Sequence, residues 1–217
     1  MIGHDGRFHT NGFATEPSPR QLVFAHMGAP MPRRNQALVP RETLFFMIQP
    51  DEAATARIAA LMETLQRALD LPGYQVAPDR FHISLHKLGR HTATPPDLIA
   101  RGKRIAEDLR AAAFDVALDR VLSFQGRDTD PLVLTDGGEE TPLKAFRNLL
   151  GDAIRESGLG NPARAGFRPH VTLMYPRARI VETHIDPIQW TVRELVLVKN
   201  LVGQGRHIHL GRWALNA

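Results

Sequence analysis

The sequence predicts an α+β fold made of two similar lobes. Short apolar segments that suit strands alternate with segments of helical periodicity along most of the 217-residue chain, a pattern typical of sheets covered by helices. Two distant segments also match closely: residues 80–85 read RFHISL and residues 168–173 read RPHVTL. Because each follows a predicted helix, the match forms a weak internal repeat and predicts lobes related by an approximate two-fold axis.

Helices are predicted from apolar residues at helical spacing and from residues that favour helix ends. Asp51 is a suitable cap for the first helix, since its carboxylate can accept from the backbone amides of the first turn. Thr94 is the expected cap of the second helix, with Pro95 at its first position. The third helix is expected to begin after Thr141 and to end near Gly158.

Strands are predicted where β-branched and aromatic residues cluster between turn residues. The two segments that carry the matched histidines are among them, and the last two strands are separated by a short glycine-containing loop. In chain order, the predicted strands cover residues 43–48, 81–88, 114–124, 131–135, 167–175, 194–199 and 207–213.

Residues 1–41 differ from the rest of the chain. They contain scattered prolines and glycines, mild positive charge and no sustained periodicity, which is typical of an extended segment. The sequence therefore predicts an extended or partly disordered basic arm at 1–41, followed by a single bilobal domain at 42–217.

The composition is that of an ordinary globular protein, with 43% hydrophobic and 23% charged residues. The chain has no cysteine, which excludes disulfides, thiolate catalysis and cysteine-based zinc sites. It has neither an apolar run long enough to span a membrane nor the pattern of a signal peptide. A cytoplasmic monomer without membrane contact is the expectation.

The chain is basic, with a formal net charge of +4 and an isoelectric point of about 9.9. Arginine supplies nearly all of the positive charge, and its planar guanidinium suits phosphate. A basic balance is compatible with a nucleic-acid or nucleotide substrate but does not establish one.

The matched segments carry the candidate chemistry. Side chains alternate between the two faces of a strand, so His82 and Ser84 are expected on one face, with His86 beside them. In the second segment His170 and Thr172 share a face in the same way. If the lobes oppose these faces, two imidazoles and two hydroxyls converge.

Such a set suits a phosphodiester without a metal ion. An imidazole has an ordinary pKa near 6.5 and can act as acid or base near neutral pH. One ring can take a proton from the attacking oxygen while the other gives one to the leaving oxygen. The hydroxyls can donate hydrogen bonds to the non-bridging phosphate oxygens, where charge must be stabilised.

The motifs resemble those of the two-histidine (2H) phosphoesterase superfamily, and within it the RNA 2′,3′-cyclic phosphodiesterase and 2′-5′ RNA ligase-like group. The matching pieces are HISL at 82–85, RPHVTL at 168–173, and WTVRELVLVKN followed by GRHIHLGRWAL within 190–215. With the order of strands and helices, the resemblance covers residues 43–215. It implies two pseudo-symmetric lobes whose antiparallel or mixed sheets line a central cleft, with helices outside.

The resemblance also implies an activity and the residues that carry it. His82 and His170 would be the acid/base pair, while Ser84 and Thr172 would hold the phosphate, without a metal or other cofactor. The implied substrate is an RNA end or a small nucleotide that carries a cyclic phosphate. Reaction with a 5′-hydroxyl in place of water would give 2′-5′ ligation as a side activity.

The chain departs from the family pattern around the motifs. Some relatives place a cation shortly after the second motif, where this chain has Tyr175. Lys87, after the first motif, is a candidate phosphate ligand. Arg80 and Arg168 occupy the same place in both motifs, and either steer phosphate or form salt bridges at the rims of the lobes.

Other features leave alternatives open. His207 and His209 stand on the closing strand, which in relatives often carries an aromatic residue. They are either exposed or cleft-lining polar residues or a histidine pair that binds a metal ion. Phe124, Tyr175 and Trp190 are candidates for base stacking or for the core. The competing functions are a module that binds RNA ends or nucleotides without catalysis, and a metal-dependent hydrolase.

Overall fold

The fold consists of two antiparallel sheets and three helices in the part of the chain that the structure describes. The structure is a computed structural model, and it describes residues 41–125, 130–138, 141–160 and 166–216. The elements in chain order are β1 Arg41–Ile48, α1 Glu52–Leu69, β2 Gly73–Gln75, a 3-10 turn Pro78–Arg80, β3 Ile83–His91, α2 Pro96–Asp108, β4 Phe114–Ser123, β5 Leu132–Thr135, α3 Pro142–Glu156, β6 His170–Pro176, β7 Thr183–Val192, β8 Glu194–Val202 and β9 Arg206–Ala214.

The two predicted histidine strands belong to different sheets. The first sheet has the order β3-β1-β8-β9, and the second has the order β2-β6-β5-β4-β7. Every pairing is antiparallel. Although β3 and β6 lie in separate sheets, they contact each other. This arrangement confirms the predicted α+β class and brings the two motifs together.

The helices connect the sheets to one core. α1 packs against β6 and β7 of the second sheet, α2 packs against β8 and β9 of the first, and α3 contacts both β3 and β4. The main apolar core therefore contains residues from both sheets. A smaller cluster lies on the other face of the first sheet and consists of Phe45, Met47, Val196 and Val198.

Two of the three predicted helix starts are confirmed. The Asp51 carboxylate accepts from the amide of Ala54 at 2.8 Å, and the Thr141 hydroxyl accepts from the amide of Lys144 at 3.4 Å. The predicted cap at Thr94 is wrong, since α2 begins at Pro96 and Pro95 precedes it in an extended conformation. The reason is that Pro95 is followed by Pro96, and a residue that precedes proline is disfavoured in the helical backbone conformation.

Two strands were not predicted. β7 contains Pro187, which argues against a strand in the sequence. The structure accommodates it because β7 is the edge strand of the second sheet, where a missing amide donor is tolerated. β2 is only three residues long, too short for a period to show. The predicted arm lies outside the described residues, except that Arg41 opens β1.

Among the described residues, no helix is both long enough and apolar enough to span a membrane.

Neighbouring leucines of α3 provide a matched test of this packing. Leu150 is fully buried, whereas Leu149 is 44% exposed. We expect Leu150→Ala to lower the free energy of unfolding by about 2–5 kcal/mol, because it leaves a cavity in the core. Leu149→Ala should lower it by less than about 1 kcal/mol. Urea unfolding followed by circular dichroism measures both, and equal losses would contradict the described orientation of α3.

Candidate active site

The first motif histidine is held by the backbone next to it. His82 immediately precedes β3, and its Nδ1 lies 2.7 Å from the carbonyl oxygen of Arg80. Since a carbonyl oxygen only accepts hydrogen bonds, Nδ1 carries the proton in the neutral ring. Nε2 is then the nitrogen that can take up a proton.

The second motif repeats this geometry. His170 opens β6, and its Nδ1 lies 2.8 Å from the carbonyl oxygen of Arg168. Both rings therefore adopt the same tautomer, and both are oriented by the residue two positions earlier. The arginines that the motifs share thus act on the histidines through their main-chain oxygens, which side-chain patterns in the sequence do not reveal.

A β-bulge follows the first motif. In β3, Ser84 pairs with Met47 and His86 pairs with Phe46, so Leu85 is an extra residue. A bulge breaks the two-residue alternation of a strand. The extra leucine points into the main core.

The second motif is followed by a bulge at the same place. In β6, Thr172 pairs with Val133 and Met174 pairs with Leu132, so Leu173 is an extra residue. This leucine also belongs to the main core. The two motifs therefore continue in the same irregular way after the hydroxyl residue.

The first bulge makes one prediction wrong. His86 does not share a face with His82 and Ser84, because it lies on the core side and is 5% exposed. Its Nε2 donates to the carbonyl oxygen of Arg147 at 2.8 Å. Lys87 instead follows on the side of Ser84, since it pairs with Phe45. We call the sides of the sheets that carry Ser84 and Thr172 the motif faces.

Aromatic rings surround the two imidazoles. The His82 ring lies 5.7 Å from the Phe45 ring and 5.0 Å, edge to face, from the ring of His207. The His170 ring lies 5.0 Å, also edge to face, from the Phe124 ring. Phe124 therefore contacts a motif histidine, whereas Trp190 is a core residue and is 4% exposed.

Burial lowers the pKa of both motif histidines. For His82, burial is the main cause, the hydrogen bond to Arg80 opposes it, and the positive charge of His170 lowers the pKa further. For His170, burial again comes first, the hydrogen bond to Arg168 opposes it, and the charge of Arg168 lowers the pKa further.

The predicted cations have different surroundings. Arg80 donates from Nη1 to the hydroxyl of Tyr74 at 3.0 Å. Arg168 lies 3.5 Å from the carboxylate of Glu182 and 4.9 Å from the Phe124 ring centre. Lys87 is exposed, and within the described segments it forms no salt bridge. The structure thus leaves Lys87 available to an anion at the motif face.

His207 and His209 were predicted either to be exposed or cleft-lining polar residues or to bind a metal ion. The structure places His207 against the motif histidine His82, and burial together with the charge of His82 lowers the His207 pKa to about 4. His209 Nδ1 accepts from Arg212 Nη2 at 3.0 Å. In the residues that the structure describes, no group of three or more His, Cys, Asp or Glu side chains is arranged to hold a metal ion.

Most of the chain matches the model of a known protein family. The family model of the 2′-5′ RNA ligase superfamily matches residues 49–204. The chain belongs to this superfamily. The match confirms the resemblance expected from the motifs. Membership in the 2′-5′ RNA ligase superfamily supports an enzyme with phosphodiesterase or RNA ligase-type activity. No curated protein sequence is similar enough to the chain to count as a match.

Solved structures of LigT and of a Thermus thermophilus protein have a fold similar to that of this chain. The apo form of Escherichia coli LigT is 25% identical, with a TM-score of 0.63, and the alignment covers 82% of this chain and 99% of LigT. LigT complexed with 3′-AMP is 24% identical, with a TM-score of 0.62 and the same coverage. The TT0787 protein of Thermus thermophilus is 18% identical, with a TM-score of 0.62, and the alignment covers 80% of this chain and 97% of that protein.

The lowered pKa of His207 gives a testable pH dependence. Between pH 6.5 and about 4, His207 of the unfolded chain binds a proton that the folded state does not. The free energy of unfolding therefore falls as the pH drops through this range. We expect His207→Gln to lose less stability than the wild type between about pH 7 and about pH 4.5 in urea unfolding. Identical losses in both proteins would show that His207 titrates normally.

Proposed function

We propose that the protein is a metal-independent phosphodiesterase that opens the 2′,3′-cyclic phosphate of an RNA end or a nucleotide. The observation that carries this proposal is the repeated bond from a histidine Nδ1 to the carbonyl two residues earlier, at 2.7 Å and 2.8 Å. It gives His82 and His170 the same tautomer and leaves each Nε2 for proton transfer. Two such groups satisfy the requirement for one general base and one general acid.

The reaction assigns a role to each motif group. One imidazole takes a proton from water as the water oxygen bonds to phosphorus. The bond from phosphorus to one ribose oxygen breaks, and the other imidazole gives that oxygen a proton. Ser84 and Thr172, on the motif faces, donate hydrogen bonds to the non-bridging oxygens that gain charge. If a ribose 5′-hydroxyl attacks in place of water, the base takes the proton of that hydroxyl, the bond from phosphorus to the 3′-oxygen breaks as the acid protonates it, and the product is a 2′-5′ linkage.

Burial and substrate charge act in opposite directions on the acid. Burial lowers the pKa of His82 and of His170, so both rings favour the neutral form in the free protein. A bound phosphodiester carries a negative charge, which favours a protonated imidazole beside it. Substrate binding would therefore supply the one protonated ring that the mechanism needs, while the other ring stays neutral as the base.

Three cations are proposed to stabilise the phosphate. Lys87 is exposed on the motif face of β3. The charges of Arg80 and Arg168 reach the histidines, since each lowers the pKa of the histidine two residues later. Their side chains are also held by Tyr74 and Glu182, so we assign them to electrostatic steering and Lys87 to direct contact.

Nucleotide complexes of relatives support the substrate class. Crystal structures of E. coli LigT complexed with 3′-AMP and with ATP are similar to this chain over 82% of its length. A monophosphate of this type is the product that ring opening of a cyclic nucleotide would yield. We therefore propose a nucleotide or RNA end as the partner.

Substitution of the histidines tests the proposed mechanism. We expect His82→Ala and His170→Ala each to lower kcat on a 2′,3′-cyclic mononucleotide by about 10²–10⁴-fold, because each removes a proton-transfer group. His184→Ala is the matched control, since His184 is exposed on β7 outside the motifs. Product formation is followed by chromatography in excess EDTA, with folding checked by circular dichroism.

The outcomes separate the competing functions. Turnover in EDTA that depends on both histidines supports the proposal, and the monophosphate formed identifies the leaving oxygen. Activity that EDTA abolishes and a divalent ion restores would favour a metal-dependent hydrolase. Tight nucleotide binding by a folded wild type that forms no product would favour a binding module.

Substitution of Lys87 tests direct contact with the phosphate. We expect Lys87→Ala to lower kcat/KM by about tenfold at low ionic strength and by less at high salt, because an exposed charge is screened. Lys87→Arg should retain most of the activity. Lys103→Ala, on the outer helix α2, is the control. An equal loss at every salt concentration would contradict an electrostatic role for Lys87.

A further inference from the structure

The two tyrosines of the chain form an exposed aromatic pair. Tyr74 of β2 lies directly opposite Tyr175 of β6, and the chain contains only these two tyrosines. Their ring centres are 6.3 Å apart, with 35° between the planes. Tyr74 is 59% exposed and Tyr175 is 39% exposed. Large aromatic side chains usually bury most of their surface, so this pair is not explained by the core.

The second bulge places this pair on the motif face. Without a bulge, the side chains of Tyr175 and Thr172 would lie on different faces of the strand, because the two residues are an odd number of positions apart. Leu173 and Met174 both point into the core, and the next residue, Tyr175, therefore returns to the side of Thr172. The first motif has the same arrangement, in which Lys87 stands at the corresponding place.

Hydrogen bonds link the pair to the first motif as well. The Tyr74 hydroxyl accepts from Arg80 Nη1 at 3.0 Å, and the carbonyl oxygen of the same arginine holds His82. The tyrosines thus adjoin the two motifs through Arg80 on one side and through β6 on the other. Positive charge lies here too, because Arg177 is exposed and its amide donates to the carbonyl of Pro72, which precedes β2.

We propose that Tyr74 and Tyr175 form a stacking platform for unpaired bases of an RNA strand whose cyclic phosphate end lies at the motifs. Exposed aromatic rings beside arginines are the combination that binds single-stranded nucleic acid, since every base has a face that can stack. The proposal rests on the proposed function and extends it. It makes the preferred substrate an RNA strand rather than a free cyclic mononucleotide.

The first experiment compares two substrates. Wild type, Tyr74→Ala and Tyr175→Ala are assayed on a 2′,3′-cyclic mononucleotide and on a short single-stranded oligoribonucleotide that ends in the same cyclic phosphate. We expect each substitution to lower kcat/KM on the oligonucleotide by about fivefold or more and on the mononucleotide by less than about twofold. Tyr74→Phe and Tyr175→Phe should retain the preference, because phenylalanine also stacks.

A control identifies general effects of removing an exposed side chain. Leu149→Ala removes a similarly exposed apolar residue from α3 and should leave both substrates unaffected. Equal losses on the two substrates in the tyrosine variants would overturn the platform, because a disturbed fold or motif affects both. An unchanged preference for the oligonucleotide would overturn it as well.

A binding experiment keeps the platform testable if the proposed reaction fails. Fluorescence anisotropy with a labelled oligoribonucleotide that ends in a 3′-phosphate measures affinity without turnover. A wild type that turns over neither substrate would contradict the proposed function alone. In that case, weaker binding by about fivefold or more in each alanine variant would support the platform, and unchanged affinity would overturn it.

Discussion

The properties of the candidate site depend on one hydrogen bond that occurs twice. In each motif, the histidine Nδ1–H group donates to the carbonyl oxygen two residues earlier, at 2.7 Å for His82 and 2.8 Å for His170. The bond fixes the tautomer and the direction of the ring, and it partly offsets the effect of burial on the pKa. In the proposed mechanism, proton transfer at the phosphate requires that these rings keep their orientation.

The second constraint is the pair of bulges at Leu85 and Leu173. Alternation along a strand was enough to predict that each motif presents a histidine and a hydroxyl together. It failed beyond the hydroxyl, where it placed His86 on the wrong face. A leucine at a bulge is the same apolar residue as a leucine in a regular strand, so the sequence contains no local signal for either bulge. The pairing with neighbouring strands determines where the bulges form.

Other features of the structure divide in the same way between local and long-range causes. The helix starts after Asp51 and Thr141 were predictable, because a cap acts within one turn. β7 was not, since Pro187 is acceptable only at a sheet edge, and edges are a property of the whole fold. The contact of His207 with His82 joins segments far apart in the chain, and neither segment indicates it alone. The family match at 49–204 agrees with the local motifs.

The tautomer of the two motif histidines is the most direct test of this account. Long-range proton–nitrogen NMR of the 15N-labelled protein, above the pKa of both rings, distinguishes a protonated Nδ1 from a protonated Nε2. His82→Gln and His170→Gln variants assign the signals. We expect both rings to carry the proton on Nδ1 and to leave Nε2 unprotonated. A proton on Nε2 in either ring would contradict this expectation, because the carbonyl of Arg80 or Arg168 would then not be orienting that histidine.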